Sequence, residues 1–217
     1  MRSTDCWDPH GFGVPVRIRA IIPARLNSSG IPDKNRRPLA GGLSPLERTI
    51  LICEVMGIPF DVVTDEPLTS IEMVTTWLRD AHDEQICLYL QPTQPLRHQD
   101  HLSRALGLLA PSIDSVISVV KLPLAYGLER RCTIGPSGWL RAPYGPLETP
   151  PPRQGATPVY VRDGTVYAFW ARTVRQHGNF YGKTVIPMIM DPKETLPLDT
   201  LEDWAKAEEA FATPSQT

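Results

Sequence analysis

Residues 17–23 read Arg-Ile-Arg-Ala-Ile-Ile-Pro, and residues 44–47 read Ser-Pro-Leu-Glu, with a loop rich in Ser, Gly, Pro and Lys between them. The first stretch is a short apolar strand that stops at proline. The second is a helix start, with serine at the N-cap, proline in the first turn and glutamate at N3. Leu46, Ile50 and Cys53 carry it on at helical spacing. The unit then repeats. Residues 60–64 read as a strand, 69–80 as a helix, 86–90 as a strand, 98–109 as a helix and 115–120 as a fourth strand. In the second of those helices Leu102, Ala105, Leu106 and Leu109 fall at i, i+3, i+4 and i+7. Strand–helix alternation of this kind predicts an α/β fold around a parallel sheet. Ligands of such sheets bind beyond the carboxyl ends of the strands, so the loops after Ile22, Thr64, Leu90 and Val120 are the candidate site walls.

The periodicity fades over residues 122–158, where Pro, Gly and Arg dominate and Pro150-Pro151-Pro152 sits near the centre. This reads as an excursion from the sheet, with short strands around residues 132–140. Regular structure returns as Val159-Tyr160-Val161 and Thr165-Val166-Tyr167-Ala168-Phe169-Trp170, separated by Arg162-Asp163-Gly164. Asp-Gly between alternating apolar runs predicts a hairpin turn. A last strand covers 185–190, and Thr200 with Asp203 caps a final helix bearing Leu201, Trp204 and Ala205. Trp170 and Trp204 are expected in the core, and His98 and His101 on an exposed helix start.

The chain has 217 residues, a formal net charge of −2, 41% hydrophobic residues and 23 prolines. That length supports one domain with a real core and a small lobe. A near-neutral balance excludes the electrostatic footprint of a nucleic-acid binder. Proline runs at roughly twice its ordinary usage, which marks a loop-rich globular chain. The four cysteines, Cys6, Cys53, Cys87 and Cys132, form no CxxC pair, so neither a zinc ribbon nor a thioredoxin-type site is encoded. Cys53 and Cys87 lie in apolar blocks and read as small buried thiols. Residues 1–16 lack the basic start and apolar run of a secretory signal, and no stretch approaches the ~20 apolar residues of a membrane span. The expectation is a cytoplasmic protein without membrane contact.

The segment from Ile22 to Asn35 holds the chemistry. Ile22-Pro23-Ala24-Arg25-Leu26-Asn27-Ser28-Ser29-Gly30-Ile31-Pro32-Asp33-Lys34-Asn35 leaves the first strand and packs Arg, Lys, two Ser and Gly into a short turn. Backbone N–H groups and fixed cations in such a loop make a phosphate cradle. A solvated basic loop has the same composition, and the P-loop spacing is absent.

This segment resembles the signature of the sugar-acid cytidylyltransferases, approximately Pro-Ala-Arg-x-Gly-Ser-Lys-x-x-x-x-Lys-Asn followed by Leu-x-Gly. Pro23-Ala24-Arg25, Ser28, Lys34-Asn35, Leu39 and Gly41 match in register. Val63-Thr64-Asp65 is similar to the family's Ser-Thr-Asp, and residues 90–97, Leu-Gln-Pro-Thr-Gln-Pro-Leu-Arg, to its Leu-Gln-Pro-Thr-Ser-Pro-Leu-Arg. Pro152-Arg153-Gln154, Arg162-Asp163-Gly164-Thr165-Val166-Tyr167 and Leu198-Asp199-Thr200-x-x-Asp203 resemble its Arg-Gln, Asn-Gly-Ala-Ile-Tyr and closing Asp-Ile-Asp-Thr elements. The matches run in order over residues 18–211.

What the resemblance implies is a Rossmann-like, mostly parallel sheet of nucleotide-diphospho-sugar transferase type, with a small dimerisation excursion. The domain would span 17–212, with 122–158 inserted on the acceptor side, after a flexible extension at 1–16 and before a tail at 213–217. The implied activity transfers CMP from CTP to an acidic, sialic-acid-like sugar and releases pyrophosphate. Arg25, Ser28 and Lys34 would hold the phosphates, with Lys34 the leading catalytic group and Arg25 beside it. Ala24, Ser29 and Asn35 would complete the nucleotide site. Gln91, Arg153 and Gln154 would face the acceptor, arginine's planar fork suiting its carboxylate. Asp199 would bind Mg²⁺, which prefers hard oxygen ligands. The implied assembly is a homodimer.

Two departures bear on this. The family's lysine after the loop serine is Ser29 here, and the earlier of its two closing aspartates is Pro197. Asp191, Glu194 and Asp65 are candidates to replace that carboxylate. Asp163 stands where the family often has asparagine. The alternatives are the same chemistry on another anionic acceptor, such as a phosphonate, and a weakened family member acting as a binding partner.

Overall fold

The computed structural model describes residues 17–24, 30–40, 42–64, 69–143 (Glu129 by its backbone only), 146, 155 and 157–212. The four predicted strands appear as β1 (Ile18–Pro23), β2 (Phe60–Val63), β3 (Ile86–Tyr89) and β4 (Ser115–Lys121). The helices between them are α1 (Pro45–Val55), α2 (Ser70–Trp77) and α3 (Gln99–Leu108). Two short strands, β5 (Thr133–Ile134) and β6 (Leu140–Arg141), pair in the excursion. Then follow β7 (Tyr160–Trp170), α4 (Ala171–His177), β8 (Val185–Met190) and α5 (Leu201–Ala212).

One six-stranded sheet runs in the order β2-β1-β3-β7-β4-β8. The β1–β2, β1–β3 and β4–β8 pairings are parallel, and β7 alone runs against its neighbours. Helices cover both faces, as the α/β expectation requires. Ala20, Ile22, Leu88 and Ala168 point to one face, against Cys53 of α1 and Leu102 and Leu106 of α3. Ile21, Cys87, Tyr89 and Phe169 point to the other, against Met73 and Val74 of α2 and Val174 of α4. The period-2 alternation of the strands divides these two cores. Trp170 and Trp204 are buried, as expected. Burial pushes the Cys53 thiol up to about 11 and the Cys87 thiol to about 12, so both are inert packing groups.

Two local readings need correction, and one helix goes unpredicted. Asp163-Gly164 does not turn a hairpin: β7 is one continuous strand of 11 residues through it. The pairing with β4 jumps from Val119↔Arg162 to Ile117↔Tyr167, so the extra residues form a bulge around Gly164 at φ +83°. The residues that make a type I′ turn also make a bulge, and the continuous partner β4 selects the bulge. Second, His101 is buried rather than exposed, while His98 is the exposed N-cap of α3. The unpredicted helix, α4, forms without a side-chain cap at its start. Its local markers are Arg175 and His177 in the last turn and the left-handed Gly178 that ends it.

No helix among the described residues is long and apolar enough to cross a membrane.

Candidate active site

The carboxyl ends of β1, β3, β4 and β8 share one edge of the sheet, and the antiparallel β7 begins there. Four segments meet at that edge: 30–35, 91–97, 160–165 and 191–199. Ala24 prolongs β1 by one residue, its N–H donating to Val63 O at 2.8 Å, and is buried.

The turn beyond it is fixed by a third, smaller core. Ile31 and Leu39 bury against Leu198, Trp204 and Ala207, so α5 and the segment before it clamp the turn. Gly30 lies so close to that segment that a Cβ there would stand 2.7 Å from the carbonyl oxygen of Asp199. Asp33 takes a left-handed φ of 50°, a conformation that aspartate tolerates in turns. The turn presents Lys34, whose side chain is mostly buried along its stem. Its Nζ donates to Leu198 O at 2.7 Å and lies 3.7 Å from Asp199 Oδ1. Asn35 is buried, and its carbonyl accepts the Leu46 N–H at 3.0 Å, joining the turn to α1.

Asp199 is the exposed member of this pair, its side chain 75% accessible. The cap of α5 sets its backbone: Asp203 Oδ2 accepts from the N–H groups of Asp199 and Thr200 and from the Thr200 hydroxyl. Thr200 and Asp203 therefore cap the helix as the spacing predicts. Both described candidates for the missing carboxylate have partners elsewhere. Asp191 caps its own short turn, accepting the Lys193 N–H at 2.9 Å. Glu194 faces Arg104 Nη1 at 3.7 Å and His101 Nε2 at 3.8 Å. No group of three or more His, Cys, Asp or Glu side chains is arranged to hold a metal ion among the described residues.

On the other side, Gln91 leaves β3 and lays its amide over Gly164. A Cβ at Gly164 would stand 2.6 Å from Gln91 Oε1, so the bulge of β7 and the Gln91 side chain fit only through that glycine. Arg97 holds this loop from beneath. Its guanidinium donates to Gln91 O at 2.5 Å, Thr165 O at 2.7 Å, Thr49 Oγ1 at 3.0 Å and Gly164 O at 3.4 Å. Burial pushes Arg97 down to about 10, with Cys53 and Asp163 opposing, and it stays charged at neutral pH. Arg97 closes the 90–97 motif, and nothing in the sequence marks its role. Its spacing after Gln91 shows the loop, not the backbone oxygens that surround it.

Of the predicted site residues, the fold gathers Ala24, Lys34, Asn35, Gln91 and Asp199 at this edge. Arg25, Ser28, Ser29, Asp65, Arg153 and Gln154 lie outside the described residues.

An α/β sheet with a basic turn after its first strand and a second polar loop after its third is a fold that this chain shares with solved CTP-related synthetases. The chain superposes on CMP:2-keto-3-deoxy-manno-octonic acid synthetase complexed with CTP at a TM-score of 0.62 and 11% identity, covering 90% of this chain and 98% of that one. It superposes on a 4-diphosphocytidyl-2C-methyl-D-erythritol synthase from Anaerococcus prevotii at 0.60 and 15%, covering 91% and 99%. At these identities the likeness is one of fold. Sequence narrows the class: the chain is a homologue of the sugar-acid cytidylyltransferases. It is 28% identical over 228 residues to the CMP-N,N'-diacetyllegionaminic acid synthase of Legionella pneumophila, covering 89% of this chain and 95% of that protein. It is 28% identical over 214 residues to the N-acylneuraminate cytidylyltransferase of Streptococcus agalactiae serotype III, spanning 85% of itself but only 51% of that longer protein. No protein-family model matches the chain.

Proposed function

We propose that this chain is a CTP-dependent cytidylyltransferase that transfers CMP to an acidic, sialic-acid-like sugar and releases pyrophosphate. The observation that carries the proposal is Lys34: an ammonium on a mostly buried stem, fixed by Leu198 O at the carboxyl edge of the sheet. A cation fixed before the substrate arrives costs no reorganisation when negative charge develops on a phosphate.

In the reaction an acceptor hydroxyl oxygen bonds to the α-phosphorus of CTP, the bond from that phosphorus to the bridging oxygen breaks, and the hydroxyl proton leaves to solvent. Arg25, Ser28, Ser29 and Lys34 bind the phosphates, while Ala24 and Asn35 flank the nucleotide. Gln91 orients the acceptor, and Arg153 and Gln154 take its carboxylate. Asp199 holds Mg²⁺. A single exposed carboxylate beside a phosphate-binding lysine fits a cation that arrives with the triphosphate, because Mg²⁺ commonly keeps its waters and takes one or two carboxylates plus phosphate oxygens. When bound, it supplies Lewis-acid neutralisation of phosphate charge. The protein works in the cytoplasm as a homodimer. The apolar residues left exposed in the excursion, Tyr126, Ile134, Trp139 and Leu140, support that assembly.

Pyrophosphate release is to be measured with CTP, Mg²⁺ and a panel of sugar acids and phosphonates. A sugar acid is expected to turn over. Lys34→Ala is expected to lower kcat by about 10²–10³, the usual cost of removing one preorganised charge-stabilising group. Turnover of phosphonates alone would move the acceptor class. No CTP binding and no turnover with any acceptor would sink the enzyme reading.

A further inference from the structure

We propose that Gln94 is a positioning residue that couples the acceptor-side bulge of β7 to the segment gripping Lys34. The inference rests on the nucleotide role of Lys34 given above.

Gln94 is 2% exposed and lies between the two halves of the site. Its Nε2 donates to Asp163 O, in the bulge beneath Gln91. Its Oε1 accepts from Thr195 Oγ1 at 3.2 Å and from the Leu196 N–H at 3.3 Å. One residue earlier, Thr93 O accepts the Leu198 N–H at 2.9 Å. Leu198 then turns its own carbonyl to Lys34 Nζ. A continuous path of hydrogen bonds thus runs from Asp163 through Gln94 and residues 195–198 to the lysine ammonium.

The chemistry of this position admits few side chains. A primary amide donates and accepts at once, and here each function meets the partner it needs. A carboxylate would set a lone pair against the Asp163 carbonyl. Serine, which the family pattern carries here, is two bonds shorter and cannot reach the bulge and residues 195–196 together.

Gln94, which stands where that pattern has serine, and Pro197, which stands where it has aspartate, also lie close in the fold. Leu196, whose N–H Gln94 holds, directly precedes Pro197. A residue before proline is restricted to extended conformations, and proline fixes its own φ. Where the pattern offers a second carboxylate, this chain offers a stiff segment pinned at 195, 196 and 198. Gln94 and Pro197 therefore act together: the segment gives up a charge and gains a fixed position for Leu198 O and Asp199.

The test combines Gln94→Ser with Lys34→Ala and reads CTP affinity. In the wild-type background Gln94→Ser is expected to weaken CTP binding about tenfold. In the Lys34→Ala background it is expected to weaken it less than twofold, because the group it positions is gone. Equal losses in both backgrounds would overturn the coupling and leave Gln94 a packing residue. Amide hydrogen exchange of the free protein supplies a readout that needs no nucleotide. Gln94→Ser is expected to speed exchange in both 160–166 and 194–200, whereas acceleration confined to one stretch overturns the proposal. If the wild type binds no CTP, the nucleotide reading fails and exchange alone decides whether the halves are linked. Should Gln94→Ser not fold, Thr195→Val removes one donor to the same amide, and faster exchange at 160–166 is then required.

Discussion

The turn at 30–39 and the excursion at 122–143 both leave the same sheet, yet they finish their folding in opposite ways. The turn carries its own small core: Ile31 and Leu39 are buried against Leu198, Trp204 and Ala207. The excursion carries none of that kind among its described residues, and Ile134 stays 75% and Trp139 73% exposed. A loop that must hold a cation in one place before the substrate arrives is served by burial within the chain. A loop with its apolar side chains outward leaves a surface open to another molecule. Under the proposed function the two loops would do different jobs, rigid positioning on the nucleotide side and association on the acceptor side.

The sharpest way to break the first half of that contrast is Gly30→Ala. The added Cβ would meet the Asp199 backbone carbonyl at 2.7 Å, and a backbone atom cannot swing aside as a side-chain tip can. Overpacking of this kind costs about 1–3 kcal/mol, which lowers the Tm by roughly 2–10 °C in a domain of this size. Because the clash pushes on the residue beside Lys34, kcat/KM for CTP is expected to fall about 10–100-fold. Gly42→Ala is the control: Gly42 has φ +94° but nothing within 4 Å of its Cβ position, so it is strained without a clash. Comparable activity losses in both variants would show that the close approach to Asp199 does not matter.

The second half of the contrast breaks at Ile134 and Trp139. Full burial of a large apolar side chain contributes about 1.5–3 kcal/mol. Ile134→Lys with Trp139→Lys is therefore expected to raise the dimer dissociation constant by about 10²-fold or more. The isolated subunit should keep its Tm, since neither side chain belongs to a core cluster. Sedimentation equilibrium reads the first quantity and calorimetry under dissociating dilution the second. A wild type that is monomeric at micromolar concentration would end the association reading.

The same contrast explains what was legible in the sequence. The start of α1 was, because a capping box is written within four residues: Ser44 with Glu47 closes reciprocally, as its spacing predicts, and Thr69 with Glu72 closes in the same way at α2. The succession of strands and helices was legible from the apolar pattern, whereas the spatial order β2-β1-β3-β7-β4-β8 appears only in the fold. Asp163-Gly164 was misread because turn chemistry is local, while the choice between hairpin and bulge is made by β4, more than 40 residues away in the chain. His101 was misread because polar neighbours suggest a solvated helix start, whereas the segment 191–194 folds over it. Gln94 was visible as a departure from a pattern. Its partners, Asp163 on one side and Thr195 and Leu196 on the other, are about 70 and 100 residues distant and exist only in the fold.

The smallest effect expected is a pH dependence that belongs to the nucleotide side alone. His101 is 4% exposed, and its Nδ1 accepts the His98 N–H at 3.1 Å, so the neutral ring carries its proton on Nε2, facing Glu194. Burial holds the imidazole below its usual pKa; Glu194 opposes this, while Arg104, His98 and Arg97 add to it. The linkage has one sign. Above the ordinary histidine value of 6.5 both folded and unfolded chains are neutral here, and the contribution to stability is fully present. As pH falls below that value the unfolded chain takes up its proton first, so stability is lost until the lower folded value is passed. The slope from one such group is at most about 1.4 kcal/mol per pH unit. Protonation would place an N–H on Nδ1 against the His98 N–H and loosen the start of α3, on which Glu194 and the segment leading to Leu198 rest. His101→Gln is expected to flatten the stability profile between pH 7 and 5 in denaturant titrations, leaving the dimer constant unchanged over that range. An unaltered profile in His101→Gln would assign the acid sensitivity to other groups. A dimer constant that tracked His101 would mean that the two regions are not energetically separate.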